Sequence, residues 1–207
     1  CVQAQLAEVE RRIIVTCPLR RSSMHTMTVM PYETHTWTID DLAALPDDGQ
    51  RYEIIDGVLF VSPAPIPLHQ RAIRKLLIVL ESACPPELEV FLSPLDYQPH
   101  QRTSVQPDLL VVRNGDMNPK NLTIAPLLAV EVLSPSSKRR DLVLKHSVYA
   151  DCGVASYWVV DPEAASIRAW NLADGGYTEA GDTSGERPIT LDQPYPVTVV
   201  PAQLLCR

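Results

Sequence analysis

The 207-residue sequence lacks the features that define several large protein classes. It has no run of roughly 18 consecutive apolar residues, the length that a membrane-spanning helix requires, so we expect no membrane partner. It has no glycine-rich loop of the G-x-x-x-x-G-K kind, which argues against a phosphate-cradling loop. It has no G-x-S-x-G motif, which argues against a hydrolase with a nucleophilic serine. A hydrophobic share of 45% and a charged share of 21% instead indicate a globular protein.

The cysteines are few and scattered. Five are present, at positions 1, 17, 84, 152 and 206, and no two of them form a C-x-x-C pair. This pattern predicts free thiols in a reducing compartment and argues against a structural zinc site. The start of the chain lacks the basic and apolar regions of a secretory signal, so we expect a cytoplasmic protein.

Acidic residues outnumber basic ones. The 25 Asp and Glu against 18 Lys and Arg give a net charge of -7, which argues against a protein that coats nucleic acid by bulk attraction. The densest local basic patch is Lys138, Arg139 and Arg140. This triplet either steers a phosphate backbone or is solvated charge at the start of a helix.

Hydrophobic periodicity predicts a single α/β domain, residues 31–207, after an N-terminal extension, residues 1–30, that we expect to lie outside the core. The predicted elements, in order, are a short helix over about 39–44, a hairpin over 51–62 with Asp56-Gly57 as its turn, a helix over 69–83, strands over 88–93, 107–113 and 127–133, a helix from Ser136 or Ser137 to about Ala150, and a hairpin over 154–172.

One acid interrupts a predicted central strand. In L-L-A-V-E-V-L, residues 127–133, Glu131 shares a face with Ala129 and Leu133. A lone carboxylate there costs several kcal/mol unless it meets a cation or hydrogen-bond donors. Asp108 opens the preceding strand, and two carboxylates at one level of a sheet make a site for a hard divalent cation. The alternative is structural: Glu131 paired with a core arginine, and Asp108 solvated in a loop.

The helix predicted after this strand supplies a candidate cation. It carries Asp141, Lys145 and Tyr149 at four-residue steps, and therefore on one face. If the helix packs back on the strand, Lys145 reaches the carboxylates. The alternative is an exposed pair of Asp141 and Lys145, worth a few tenths of a kcal/mol.

Five sequence blocks closely resemble one bacterial family, the Uma-type restriction endonucleases of the PD-(D/E)XK nuclease superfamily. The blocks are Y-E-I-I-D-G-V-L-F-V-S-P-A-P, H-Q, V-Q-P-D-L-L-V-V, V-E-V-L-S-P-S-S-K-R-R-D-L-V-L-K-H-S-V-Y-A and G-V-A-S-Y-W-V-V-D-P, within roughly residues 36–205. The resemblance implies a restriction-endonuclease-like core: a mixed central β-sheet flanked by helices, with additional N-terminal and C-terminal hairpins.

The resemblance also implies roles for individual residues. Asp108 matches the acid of the P-D block, Glu131 matches the acid of the central strand, and Glu53 matches a further acid near the site. Nucleases of the E-x-K kind carry a lysine two residues after the strand acid, where this chain has Leu133. In the family a lysine of the following helix is taken to replace it, which here is Lys145.

The implied activity is metal-assisted hydrolysis of phosphodiester bonds in DNA. Asp108, Glu131 and Glu53 are the predicted metal ligands, with Asp108, Glu131 and Lys145 as the catalytic set. Carboxylate ligands without a cluster of Cys and His favour Mg²⁺, with Mn²⁺ as a second candidate. His69, at the start of the long helix, either touches phosphate or metal or is structural. A homodimer is expected only by analogy with the superfamily.

Two other functions stay open from the sequence. A non-cleaving module could use the same fold to bind nucleic acid or a protein partner, which the acidic net charge supports. A metal-dependent hydrolase could act on a nucleotide, although the missing phosphate-cradling loop argues against it.

Overall fold

The computed structural model describes residues 35–62, 64–134, 138 and 140–206. They belong to one unit, His35–Arg207. The predicted N-terminal extension, residues 1–30, lies outside the described residues, and so do Ser136 and Ser137, the predicted caps of the second long helix. These expectations stay predictions.

The first two helices begin and end near the positions that local signals predict. Thr38 caps helix α1, Ile39–Ala43, through a capping box with Asp41, in which each residue's side chain accepts a hydrogen bond from the other's backbone N–H. Helix α2 spans Pro67–Ala83 and ends just before Pro85, which cannot continue it.

A hairpin lies between these helices. Strands β1, Arg51–Ile55, and β2, Val58–Ser62, pair antiparallel with Ile55 opposite Val58. Asp56 and Gly57 form the turn with φ angles of 51° and 81°, which a two-residue turn of this hand requires and which Asp and Gly tolerate better than other residues. The predicted hairpin is confirmed.

The remaining strands complete three sheets. The strands are β3 Leu88–Leu92, β4 Tyr97–His100, β5 Thr103–Val105, β6 Leu109–Arg113, β7 Leu128–Val132, β8 Ser156–Asp161, β9 Ser166–Ala173, β10 Gly176–Ser184, β11 Ile189–Leu191 and β12 Val197–Val199. The central sheet has the order β10-β9-β8-β7-β6-β3, and a smaller sheet has the order β2-β1-β5-β4. Strands β7 and β8 run parallel while the other central neighbours are antiparallel, so the predicted mixed sheet is confirmed.

Strands β4 and β5 are absent from the expectations. Both are short, and β4 contains Pro99, which removes one backbone donor and weakens any strand signal. Their pairing with β1 and with each other builds the small sheet around the hairpin. The consequence is a second layer that sequence periodicity does not indicate.

The central sheet is covered on both faces. On β7, Leu128, Val130 and Val132 belong to the apolar core that includes α2, β11 and β12. Ala129, with Leu133 just beyond the strand, belongs to a second core on the opposite face, which includes residues of the small sheet and the aromatic rings of a following helical segment. Glu131 lies on the same strand face as Ala129 and Leu133, so its side chain is directed between the two layers.

The segment from Arg140 to Asp151 links β7 to β8 and differs from the expectation of one α-helix. Residues Arg140–Lys145 are π-helical, with more residues per turn, and helix α3 spans His146–Asp151. Sequence periodicity cannot indicate this wider winding, because contacts of buried charged side chains in this segment override the local preference. The chain then leaves the helix at Gly153, whose φ is 78°.

Two further expectations concern the chain as a whole. Cys84, Cys152 and Cys206 are free thiols, as predicted, while Cys1 and Cys17 lie outside the described residues. Within the described ranges, no helix is both long and apolar enough to cross a membrane.

The packing of α2 predicts a contrast between two neighbouring aliphatic residues. Leu76 is fully buried against the central sheet, whereas Ile78 is 53% exposed. We expect Leu76→Ala to lower the free energy of unfolding by about 2–5 kcal/mol, because it leaves a cavity. Ile78→Ala, the matched control, should change it by less than about 0.5 kcal/mol. Urea denaturation measures both, and equal losses would contradict the described orientation of α2.

Candidate active site

Four buried carboxylates lie on the face of the central sheet that is directed towards the small sheet. Glu131 comes from the middle of β7, and Asp108 directly precedes β6. Leu109 pairs with Val130, and continuing that antiparallel register by one residue places Asp108 opposite Glu131. The other two acids are Glu53 of β1 and Asp141 of the π-helical segment, and all four are at most 2% exposed.

Lys145 joins three of these acids. Its Nζ lies 2.8 Å from Glu53 Oε1, 2.7 Å from Glu131 Oε1 and 3.9 Å from Asp141 Oδ1, and its side chain is fully buried. Burial alone would lower the pKa of Lys145, but the carboxylates of Glu131, Glu53 and Asp141 raise it above its ordinary value. The ammonium ion is therefore the strong donor at the centre of the acids.

Leu133 occupies the position at which an E-x-K motif has its lysine. Leu133 is 6% exposed and packs in the second core. The cation reaches the strand from the following segment instead, as the family resemblance implies. Tyr149 of α3 also contacts the strand acid, because its hydroxyl donates to Glu131 Oε1 at 2.8 Å. The row of Asp141, Lys145 and Tyr149 thus converges on the carboxylates, and the exposed-pair alternative for Asp141 and Lys145 is wrong.

Asp108 is held on both of its oxygens. Its Oδ2 accepts the backbone N–H of Val132 at 2.8 Å and lies 3.2 Å from His69 Nε2. Its Oδ1 lies 3.3 Å from Arg51 Nη1. Burial alone would raise the pKa of Asp108, but His69, Arg51 and the Val132 N–H hold it below its usual range. Asp108 is an ionised carboxylate in a fixed orientation.

Two arginines border the acids. Arg51, two residues before Glu53 on β1, contacts both Asp108 and Glu53, and its Nη2 lies 3.4 Å from Glu53 Oε1. Arg140 lies 3.6 Å from Glu53 Oε2 and donates to Ser62 Oγ at 3.0 Å. Neither contact was predicted. Alternation along β1 offers a signal for Arg51, because residues two apart on a strand share a face.

Apart from His69, the carboxylates of this cluster outnumber the cations that contact them by four to three. The carboxylates are Glu53, Asp108, Glu131 and Asp141, and the contacting cations are Arg51, Arg140 and Lys145. Burial outweighs the attraction of Lys145 and raises the pKa of Glu131 to about 8, with Asp141, Asp108 and Glu53 adding to the rise. For Glu53, the effect of burial is overcome by Lys145, Arg51 and Arg140, which lower its pKa. A proton on Glu131, or a bound cation, would balance the fourth carboxylate.

The cluster has polar atoms that are not satisfied. Within the described part of the chain, the buried atoms Arg51 Nε, Glu53 Oε2 and His69 Nδ1 have no hydrogen-bond partner. Among the same residues, no group of three or more His, Cys, Asp or Glu side chains is arranged to hold a metal ion. A divalent cation here would have to rely on fewer protein ligands, as Mg²⁺ commonly does with one or two carboxylates, water and substrate phosphate.

The predicted nucleic-acid contacts fall in different places. Lys138 is 53% exposed in its side chain and pairs with Asp161 at 2.8 Å. Arg139 lies outside the described residues. Arg140 and His69 are directed towards Glu53 and Asp108 respectively, so both belong to the carboxylate cluster.

A solved structure shares this fold. The crystal structure described as "a putative nuclease belonging to DUF820 from Anabaena variabilis ATCC 29413" matches with a TM-score of 0.64 at 19% sequence identity. The match covers 81% of this chain and 97% of that chain. The chain therefore shares with that structure the fold of an α/β protein with a mixed central sheet, and the predicted fold class is confirmed.

The sequence places the chain in a particular family. Residues 39–202 match the model of the Uma2 family, whose description is "Putative restriction endonuclease". Since the match spans most of the chain, the protein belongs to the Uma2 family, and the predicted resemblance is confirmed. No curated protein matches the sequence. Family membership supports a nuclease function.

The contacts of Lys145 predict a large effect on stability. Lys145→Met should lower the free energy of unfolding by about 3–5 kcal/mol, because it leaves Glu53 and Glu131 buried without their shared cation. The matched control is Lys120→Met, at an exposed position between β6 and β7, which should change it by less than about 0.5 kcal/mol. Urea denaturation of both variants checks this. Equal stability of Lys145→Met and the unaltered protein would contradict the buried ion pairs.

Proposed function

We propose that the protein is a metal-dependent nuclease that hydrolyses phosphodiester bonds in DNA. The observation that carries the proposal is the buried Lys145 ammonium, 2.7 Å from Glu131 and 2.8 Å from Glu53, at the level of the sheet where Asp108 lies opposite Glu131. Membership in the Uma2 family supports the same reading. We also propose the cytoplasm as the location, from the sequence, and a homodimer as the assembly, by analogy with the superfamily.

Asp108 and Glu131 are the proposed ligands of a Mg²⁺ or Mn²⁺ ion, and Glu53 is a third candidate. The donor chemistry fits, because carboxylate oxygens suit hard divalent cations and the four carboxylates outnumber the three cations that contact them. Glu53 offers the buried Oε2, which no described residue hydrogen-bonds. When bound, the ion would polarise a phosphoryl oxygen and lower the pKa of a coordinated water.

The protein's own residues position the attacking water and stabilise the charge that develops on the phosphoryl group. Lys145 is fixed by two carboxylate acceptors and by its burial, so its charge is preorganised beside the acids. Preorganised donors stabilise negative charge that develops on the phosphoryl group, and they do so without rearranging during the reaction. Tyr149 also fixes Glu131, by donating to the same Oε1 that Lys145 contacts. We assign Lys145 the roles of orienting the attacking water and stabilising this charge.

The exposed basic residues contribute to binding. Among the predicted phosphate contacts that lie within the described residues, Lys138 is the exposed one. It pairs with Asp161 at the protein surface. Exposed ion pairs of this kind are weak, so Lys138 is free to exchange Asp161 for a DNA phosphate. Arg140 and His69, which contact the acids, would meet only the phosphate at the reaction centre.

A plasmid assay tests the proposal. Full-length protein with Mg²⁺ or Mn²⁺ should nick supercoiled DNA, and Asp108→Asn, Glu131→Gln and Lys145→Met should each reduce the rate by about 100-fold or more. Asp108→Asn preserves the shape of the side chain, so it separates loss of chemistry from loss of folding.

The controls are Lys120→Met and Glu163→Gln, both at exposed positions, which should nick at the rate of the unaltered protein. Single-stranded DNA and free nucleotides, offered in parallel, separate a DNA nuclease from a nucleotide hydrolase. Absence of nicking with either ion, together with unchanged DNA binding by Asp108→Asn, would instead favour a non-cleaving module.

A further inference from the structure

Arg51 is the most solvent-accessible of the three cations that contact the acids. Its side chain is 25% exposed, compared with 14% for Arg140 and 0% for Lys145. It belongs to the first residue of β1, where the hairpin enters the small sheet. Arg51 is therefore the one of these three cations that solvent contacts most, whereas Lys145 is enclosed.

The contacts of Arg51 are also longer than those of Lys145. Its guanidinium lies 3.3 Å from Asp108 Oδ1 and 3.4 Å from Glu53 Oε1, compared with 2.7 and 2.8 Å for the two closest contacts of Lys145. Charge-assisted hydrogen bonds are typically about 2.7–2.9 Å long. Its buried Nε has no hydrogen-bond partner among the residues that the structure describes. Arg51 is thus attracted by the carboxylates without being fully satisfied by them.

The two oxygens of Asp108 have different partners. Oδ2 accepts the Val132 N–H at 2.8 Å and lies 3.2 Å from His69 Nε2, so the protein framework occupies it. Oδ1 is directed to Arg51. A metal ion that binds Asp108 without disturbing the framework has to use Oδ1, and it then competes with the guanidinium for the same oxygen.

We propose that Arg51 is the exchangeable cation of the site: it neutralises Asp108 and Glu53 until a divalent cation takes Asp108 Oδ1, and its guanidinium then binds a phosphate of the DNA. This inference rests on the proposed nuclease function and adds a phosphate-binding residue to it. The chemistry favours the exchange, because a planar guanidinium pairs with two phosphate oxygens as readily as with carboxylates. Electrostatic repulsion between the metal ion and Arg51 also promotes its release.

Two binding measurements on the full chain test the exchange. Calorimetric titration with Mn²⁺ in the absence of DNA should give Arg51→Met a dissociation constant about tenfold lower than that of the unaltered protein, because the competitor is gone. Binding of a fluorescent DNA duplex in Ca²⁺, followed by anisotropy across a range of salt concentrations, should weaken in Arg51→Met. The slope of log Kd against log salt should fall by about 0.9, the value of one lost phosphate contact.

Two further variants keep the result interpretable. Arg51→Gln retains hydrogen-bond donors but not the charge, so it replaces Arg51→Met if that variant does not fold, with the same expected directions. Arg113→Met is the matched control: Arg113 ends β6, its side chain is 61% exposed, and its loss should change neither constant.

The outcomes separate this inference from the proposed function. If Asp108→Asn abolishes Mn²⁺ binding while Arg51→Met binds Mn²⁺ no more tightly than the unaltered protein, the exchange is wrong and the metal site stands. Tighter Mn²⁺ binding with an unchanged salt slope also overturns the proposal, because Arg51 would then not bind phosphate. If neither the unaltered protein nor Arg51→Met binds Mn²⁺, the metal site and the exchange both fall.

Discussion

A buried ammonium shared by carboxylates from two different layers is the interaction on which the site depends. Lys145 lies within hydrogen-bond distance of Glu53 in the small sheet and Glu131 in the central sheet. Each buried acid would cost several kcal/mol without a partner, so the hairpin, the central strand and the π-helical segment need one another. The same contact that joins the two layers also preorganises positive charge beside Glu131 and Glu53, so fold and candidate chemistry share one requirement.

Much of the fold follows from local signals, and the exceptions have physical reasons. The turn at Asp56-Gly57 and the apolar face of α2 depend on residues near one another in the chain, and periodicity predicts both. Strand β5 depends on pairing with β1, about fifty residues earlier along the chain, and β4 pairs in turn with β5. Their own short sequences carry little strand signal. The π-helical winding of Arg140–Lys145 follows tertiary contacts in the same way.

The residues of the site also fall into those that local patterns indicate and those that depend on tertiary packing. Alternation within β7 and the four-residue steps of the next helix indicate which side chains share a face, and they lead to Glu131 and Lys145. They cannot show that Glu53 meets Lys145, because the two are 92 residues apart and the contact depends on how two layers pack. Only the family resemblance points to Glu53. Arg51 shares a strand face with Glu53, but it was missed because an arginine at a strand end is usually solvated and the burial of Glu53 depends on how the two layers pack.

Moving the lysine is the most direct test of the claim that Lys145 supplies the cation missing from the strand. Leu133 follows β7 on the face of Glu131 and is 6% exposed, so a lysine there would approach the same acids. Plasmid nicking in Mg²⁺ should be lost in Lys145→Met and regained in part in the double variant Leu133→Lys, Lys145→Met. Nicking by Lys145→Met at the unaltered rate, or no recovery in a folded double variant, would contradict the account.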